Sequence, residues 1–219
     1  MSGQHIDGLE YHLDAGGELS GIVKMLGEGT ATPASTTVAL EAVDLPSSSS
    51  GTTPADDGSF TVKNFFAGRY RVRLNKKPAE CYVKSVKLGG REVDLDAADL
   101  GAAAGALEIV VSRAGAQVDG IVLGADDKPM AGATVVLIPA SGRISDYVSA
   151  TTDYDGTFNA KGAAPGKYQV LAWEEIEPGA FLDPEFVKPF EAGAEGLSLE
   201  ESGHAKVTLK AIPYSARTL

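Results

Sequence analysis

One spacing dominates the sequence. Asp57-Gly58-Ser59-Phe60 returns 98 residues later as Asp155-Gly156-Thr157-Phe158. Ala67-Gly68-Arg69-Tyr70-Arg71-Val72 returns as Pro165-Gly166-Lys167-Tyr168-Gln169-Val170 at the same 98. Leu9-Glu10-Tyr11-His12-Leu13 matches Leu107-Glu108-Ile109-Val110-Val111, again at 98, and one further step of 98 lands on Ala205-Lys206-Val207-Thr208-Leu209. Leu19-Ser20-Gly21-Ile22-Val23 aligns with Val118-Asp119-Gly120-Ile121-Val122 at 99, which implies one inserted residue. Several motifs that hold one long period are the mark of a duplicated folding unit. The 219 residues therefore divide into a first unit, 1–112, and a second, 113–219. Residues 5–14 are left over at the N-terminal side and read as the closing strand of a unit that precedes these two.

Each unit is written in strands. Val118–Leu123 alternates apolar with small or polar residues, and Ala133-Thr134-Val135-Val136-Leu137-Ile138 is short and β-branched. Gly156–Ala160 and Lys167–Trp173 follow, each bounded by Gly, Pro or Asp. Period-2 alternation with a turn signal every few residues predicts an all-β fold, two tandem antiparallel β-sandwich domains. Helical patterning is nearly absent. Ala97–Ala106 has the composition for a turn of helix, with Gly101 and Gly105 against it. Pro46–Gly58 reads as a long loop, and Glu174–Glu195, with Pro178, Pro184 and Pro189, as an irregular excursion.

The recurring turns have a physical logic. Asp57 and Asp155 are placed to cap their turns through their own side chains, while Gly58 and Gly156 supply the positive φ. Pro165 presets φ and Gly166 is expected in the left-handed position of a type II turn. Tyr70 and Tyr168 follow two residues after a glycine, where a ring plugs the end of a sandwich and its hydroxyl finds a backbone partner. All these roles are structural.

Composition excludes several function classes. With 19 Lys and Arg against 30 Asp and Glu the net charge is −11, the wrong sign for nucleic acid or an anionic membrane. The single cysteine, Cys81, rules out a disulfide framework and reads as a half-buried structural thiol. His5, His12 and His204 form no metal-binding spacing, so no catalytic residues, no metal and no cofactor are expected. No apolar run reaches membrane-spanning length, and the opening residues carry no apolar leader core.

Val118-x-Gly120-x-Val122, Lys128-Pro129-Met130-Ala131-Gly132-Ala133-Thr134-Val135, Thr152-Asp153-x-Asp155-Gly156-x-Phe158 and Ala164-Pro165-Gly166-x-Tyr168-x-Val170-x-Ala172 together resemble the carboxypeptidase regulatory-like domain. That family belongs with the transthyretin-like, Cna-B-like and starch-binding-like β-sandwiches. The first unit matches less well, since it lacks the Pro-Met-Ala-Gly-Ala segment and has Ala67 where the second has Pro165. The tandem order, with Tyr82-Val83-Lys84-Ser85-Val86 and Gly89-Gly90 between the matched parts, is also similar to multi-repeat envelope proteins of environmental bacteria. The resemblance implies an accessory or structural module outside the cytoplasm: extracellular, at the cell surface, or periplasmic.

It also directs attention to particular residues. Some Cna-B-like domains join a Lys of the first strand to an Asn of the last, with an acid assisting; Lys24, Glu41 and Asn75 stand in that order, and otherwise read as solvated surface. Asp153-Tyr154-Asp155-Gly156 reads as a turn cap before it reads as a calcium loop. Tyr147, Tyr154, Trp173 and Phe181 are the aromatics available for a sugar-stacking platform, although Trp173 shares strand parity with Leu171 and so competes for the core. Leu9, Tyr11 and Leu13 alternate as a strand able to complete a neighbour's sheet. The reading is therefore a non-catalytic stalk, spacer or filament subunit whose partners are copies of itself or other envelope proteins. The alternative is a carbohydrate-binding module with polysaccharide as its partner.

Overall fold

The computed structural model describes residues 16–44, 49–101 and 105–214. Leu9, Tyr11 and Leu13 lie outside the described residues. In chain order the strands of the first repeat are β1 (Gly17–Leu26), β2 (Thr37–Ala42), β3 (Ser49–Thr52), β4 (Ser59–Phe65), β5 (Gly68–Asn75), β6 (Tyr82–Leu88), β7 (Arg91–Glu92), β8 (Ala98–Leu100) and β9 (Leu107–Ser112). They form a five-stranded sheet ordered β4-β1-β9-β6-β7 and a four-stranded sheet ordered β3-β2-β5-β8. Alternation along these strands turns one side chain in two inward. Val23, Val38, Leu40, Leu107 and Ile109 are thereby almost wholly removed from water, each contributing about 1.5–3 kcal/mol of apolar burial.

The second repeat contains β10 (Ala116–Leu123), β11 (Thr134–Pro139), β12 (Val148–Thr151), β13 (Thr157–Ala163), β14 (Gly166–Trp173), β15 (Glu195–Leu199) and β16 (His204–Ile212). β13-β10-β16 forms one layer and β12-β11-β14-β15 the other; β14 and β16 touch at Ala172–Ala211 and Trp173–Ile212 and so tie the layers together. Val118, Val122, Val135, Leu137 and Val170 fill the space between them.

The duplication extends to register. Gly21 pairs with Phe60, and Gly120 with Phe158. A Cβ on Gly21 would stand 2.3 Å from Phe60 Cζ, and one on Gly120 2.6 Å from Phe158 Cε1. In each repeat the strand glycine thus makes room for the phenylalanine ring lying over it. A register shift occurs at Gly17/Glu18 and again at Ala116/Gln117. The last strands differ from expectation. Gly21 pairs with Leu107 but Gly120 with Val207, so β9 and β16 correspond at a spacing of 100, not 98. The extra length lies in the segment that precedes β16.

Three local expectations are corrected. Ala98–Leu100 is a strand, not a helical turn, because Ala98 and Leu100 are buried and pair with Tyr70 and Gly68. The Pro46–Gly58 loop contains β3, which pairs with β2 from Val38↔Thr52 to Glu41↔Ser49. Gly89 and Gly90, both at positive φ, close the β6–β7 hairpin within the first repeat rather than linking the repeats.

The repeats diverge between their fifth and last strands. In the first, β6 and β7 extend the β9 sheet. In the second, residues 174–194 make short 3-10 turns and one helical turn, α1 (Pro184–Val187), capped by Asp183 accepting from the Glu185 N–H at 3.0 Å. This flap packs Phe181, Val187, Phe186 and Phe190 against Val136, Leu171 and Trp173, forming a third apolar cluster outside the sandwich core.

Candidate functional site: the joint between the repeats

Only Arg113-Ala114-Gly115 separates β9 from β10. Each of the three is tied down. The Arg113 guanidinium donates to the carbonyls of Ala31 and Gly27, pinning the loop after β1. The Ala114 carbonyl accepts from the Ser202 N–H at 2.7 Å, and the Gly115 N–H donates to the Glu80 carbonyl at 3.0 Å. A connection this short, with its backbone groups satisfied from both sides, has little conformational freedom left.

The contact it enforces is backbone on backbone. Residues 76–81 of the first repeat lie against the end of β13. A Cβ on Gly162 would stand 2.3 Å from the Ala79 carbonyl oxygen and 2.7 Å from that of Cys81. A Cβ on Gly115 would stand 2.4 Å from the Glu80 oxygen and 2.6 Å from the Gly162 Cα. No side chain fits in either place, and Gly162 also has φ 76°, the left-handed region that favours glycine. The Lys77 ammonium enters the same site and donates to the Cys81 carbonyl at 2.6 Å; burial holds its pKa below the ordinary lysine value. Cys81 is fully closed to solvent, and burial, then the Glu80 charge, push its thiol up, so it remains a protonated core residue.

A polar rim surrounds this contact. Glu201 of the second repeat accepts from the Tyr82 hydroxyl at 2.6 Å and from Lys84 at 2.8 Å, both on β6. The bonds from Lys84 and then Tyr82 hold the Glu201 carboxyl below its usual range. Burial, and then the bond to Glu201, raise the Tyr82 phenol. In the turn between β7 and β8 the Asp96 carboxylate accepts from the Ile144 N–H at 2.8 Å. Exposed ion pairs add little stability. The rim therefore sets orientation, and the glycine contact sets distance.

Sequence reasoning missed this site because its parts are far apart in the chain. One signal was present. Gly16 and Asn64 stand 99 and 98 residues before Gly115 and Gly162. Asn64 repeats the left-handed backbone, with φ 56°, and a Cβ on Gly16 would stand 2.8 Å from the Asn64 Cα. The turn itself tolerates asparagine; what differs at position 162 is the loop pressed against it.

Asp57 Oδ1 accepts from the Ser59 N–H at 2.9 Å, and Asp155 Oδ1 from the Thr157 N–H at 3.1 Å, with Gly58 and Gly156 at φ 85° and 76°. The Tyr70 and Tyr168 hydroxyls donate to the carbonyls four residues back, Phe66 at 2.9 Å and Ala164 at 2.8 Å. After Pro165, Gly166 has φ 154°, nearer extended than the left-handed conformation a type II turn needs. The four aromatics do not form one platform. Trp173 is 0% exposed and meets Phe190 edge-on with ring centroids 6.0 Å apart. Tyr147 stacks on Phe181 at 6.2 Å, whereas Tyr154 stands 92% exposed at its turn. Lys24, Glu41 and Asn75 are not brought together either: Lys24 pairs with Glu108, Glu41 with Arg73, and Asn75 lies opposite Thr37.

On the outer face of β13-β10-β16, the Asp119 carboxylate accepts from Gln117 and Asn159 and contacts the His204 ring. Burial raises its pKa, but the bonds from His204, Gln117 and Asn159 outweigh it, and the net shift is downward. In the first repeat the aligned residue is Ser20, and the sheet face carries the Lys24–Glu108 pair instead. No helix among the described residues is long and apolar enough to cross a membrane.

No curated protein sequence matches this chain. Among solved structures, the minor pilin GBS52 of Streptococcus agalactiae is similar at 16% identity and TM-score 0.33, over 90% of this chain and 97% of that one. The Bacillus anthracis TIE protein is similar at 17% identity and TM-score 0.32, over 91% of this chain, which spans only 34% of that protein. The major pilin RrgB of Streptococcus pneumoniae is similar at 10% identity and TM-score 0.31, over 91% of this chain and 49% of that one. Overlaps this loose fix neither function nor assembly. The family model of the carboxypeptidase regulatory-like domain matches residues 117–175. That span runs from β10 through β14, so over this part of its length the chain is similar to the carboxypeptidase regulatory-like domain.

Proposed function

We propose that the chain is a non-catalytic structural segment of the cell envelope or extracellular space, in which serial β-sandwiches are locked to one another as a spacer or filament subunit. The observation that carries this reading is the joint. A ligand-binding accessory module hung on a linker needs no fixed relation to its neighbour, and modest polar interfaces between domains ordinarily permit relative motion. Here a three-residue connection and two side-chain-free positions, Gly115 and Gly162, hold the repeats at backbone contact. The reading takes residues 112 and 113 as the boundary between domains, in keeping with separate apolar clusters that end at Val111 and begin at Ala116.

The carbohydrate-binding alternative has less support, because Trp173 offers no face to a sugar. Fractionation and immunogold labelling of cells that produce the protein test its location. Label at the surface or in the extracellular matrix is expected, and label confined to the cytoplasm contradicts the proposal. Retention on a polysaccharide that is lost in Tyr154→Ala would favour the alternative instead.

A further inference from the structure

In the first repeat β9 is paired along both edges: Ile109 lies opposite Val23 on β1 and opposite Val86 on β6. In the second repeat β16 pairs with β10 from Gln117↔His204 to Leu123↔Lys210. On its other edge, among the described residues, only Ala211 and Ile212 find partners, on β14. Among the described residues no strand covers that edge over 204–210. The chain segment that supplies β6 in the first repeat is, in the second, spent on the flap over β11 and β14. A groove of about 440 Å3 remains beside the edge, lined by Leu171, Pro189, Phe190, Leu209 and Ile212, with Glu195 and Lys210 among its polar residues.

We propose that this edge is an acceptor for an added strand, and that the occupant is the Leu9–Leu13 segment of a second copy of the chain, running antiparallel to β16 as β6 runs to β9. The inference deepens the filament reading and rests on it. Three features select the occupant. Leu9, Tyr11 and Leu13 alternate, so a strand made from them turns three apolar side chains to one face, as the apolar groove requires. Residues 5–14 contain Asp7, Glu10 and Asp14 and no Lys or Arg, while β16 exposes Lys206 and also Lys210, which pairs with Asp127 at 2.6 Å. An open edge presents unpaired N–H and C=O groups that a strand satisfies with the same ladder that β6 gives β9.

Sedimentation equilibrium of the full chain and of a variant lacking residues 1–14 tests this. The full chain should associate in a concentration-dependent way, and the truncated chain should remain a folded monomer. A synthetic peptide of residues 5–14 added to the truncated chain should slow amide exchange at Thr208–Lys210 at least several-fold. Mixing Glu10→Cys chains with Thr208→Cys chains should give cross-linked dimers, without interference from the buried Cys81. Lys210→Glu, at an exposed position, should weaken association without unfolding the chain. Equal association of the truncated variant, a monomeric full chain, or unchanged exchange with the peptide each overturns the proposal. A double Glu10→Cys, Thr208→Cys chain that closes only on itself overturns the second copy as occupant. None of these outcomes bears on the rigidity of the joint, which is measured separately.

Discussion

Residues 64 and 162 occupy the same turn in the two repeats. Both have a left-handed backbone, and both abut a glycine, Gly16 or Gly115, that leads into the first strand of its repeat. Asparagine suffices at 64 because the turn asks only for positive φ, which asparagine tolerates. At 162 two carbonyls from the preceding repeat occupy the space of a Cβ, so only glycine fits. Position for position, the difference separates what a fold requires from what an assembly of folds requires. The same separation appears at β9 and β16: one edge is closed by its own chain, and the other, over 204–210, has no partner strand among the described residues.

The largest expected effect sits on the aligned pair Trp173 and Asn75. Trp173→Ala should cost ~3–5 kcal/mol, since it empties the centre of the flap's aromatic cluster. Asn75→Ala, on the exposed end of β5, should fall within ~0.5 kcal/mol in the same denaturant titration. Similar costs at the two sites would mean that the flap adds no packing. Next is the exchange of turn residues. Gly162→Asn keeps a residue that accepts positive φ, so its cost of ~2–3 kcal/mol would come from the loop 76–81. Asn64→Gly should cost under ~1 kcal/mol, through chain entropy alone.

A smaller contrast concerns the tyrosine hydroxyls. Tyr168→Phe strands a buried Ala164 carbonyl and should cost ~1–2 kcal/mol, while Tyr70→Phe, at a half-buried site, should cost less. The smallest effect is the pH response of the Asp119 cluster. The folded pKa of Asp119 lies below its unfolded value, near 3.8, so its contribution is complete above that pH and is lost as pH falls through the folded value. Asp119→Asn should flatten the acid limb of a stability–pH curve for the second repeat; an unchanged limb would show that the carboxylate is not coupled to folding.

Much of the fold was legible because its determinants are local. Asp57-Gly58 and Asp155-Gly156 carry their turn chemistry within three residues, and the tyrosine hydroxyls reach only four residues back. Two kinds of feature were not legible. The β16 edge that stays unpaired among the described residues and the helical flap depend on what replaced β6 and β7, and an irregular Pro-containing stretch does not say which face it will cover. Trp173 showed the correct parity with Leu171, yet both face the flap rather than the sandwich interior, and alternation alone cannot tell those two sides apart. The joint was hidden for a different reason. Glu80, Gly115 and Gly162 meet only after both sheets have formed, and glycine in a sequence rich in turns carries no sign of which contact demands it.

The claim on which the rest depends is that the two repeats move as one body. Residual dipolar couplings measured on backbone amides of both repeats, in one weakly aligning medium, test it directly. A single alignment tensor should fit residues 17–112 and 116–212 together, and Gly162→Asn should split it into two. Two tensors of different magnitude in the unaltered chain would contradict a locked joint.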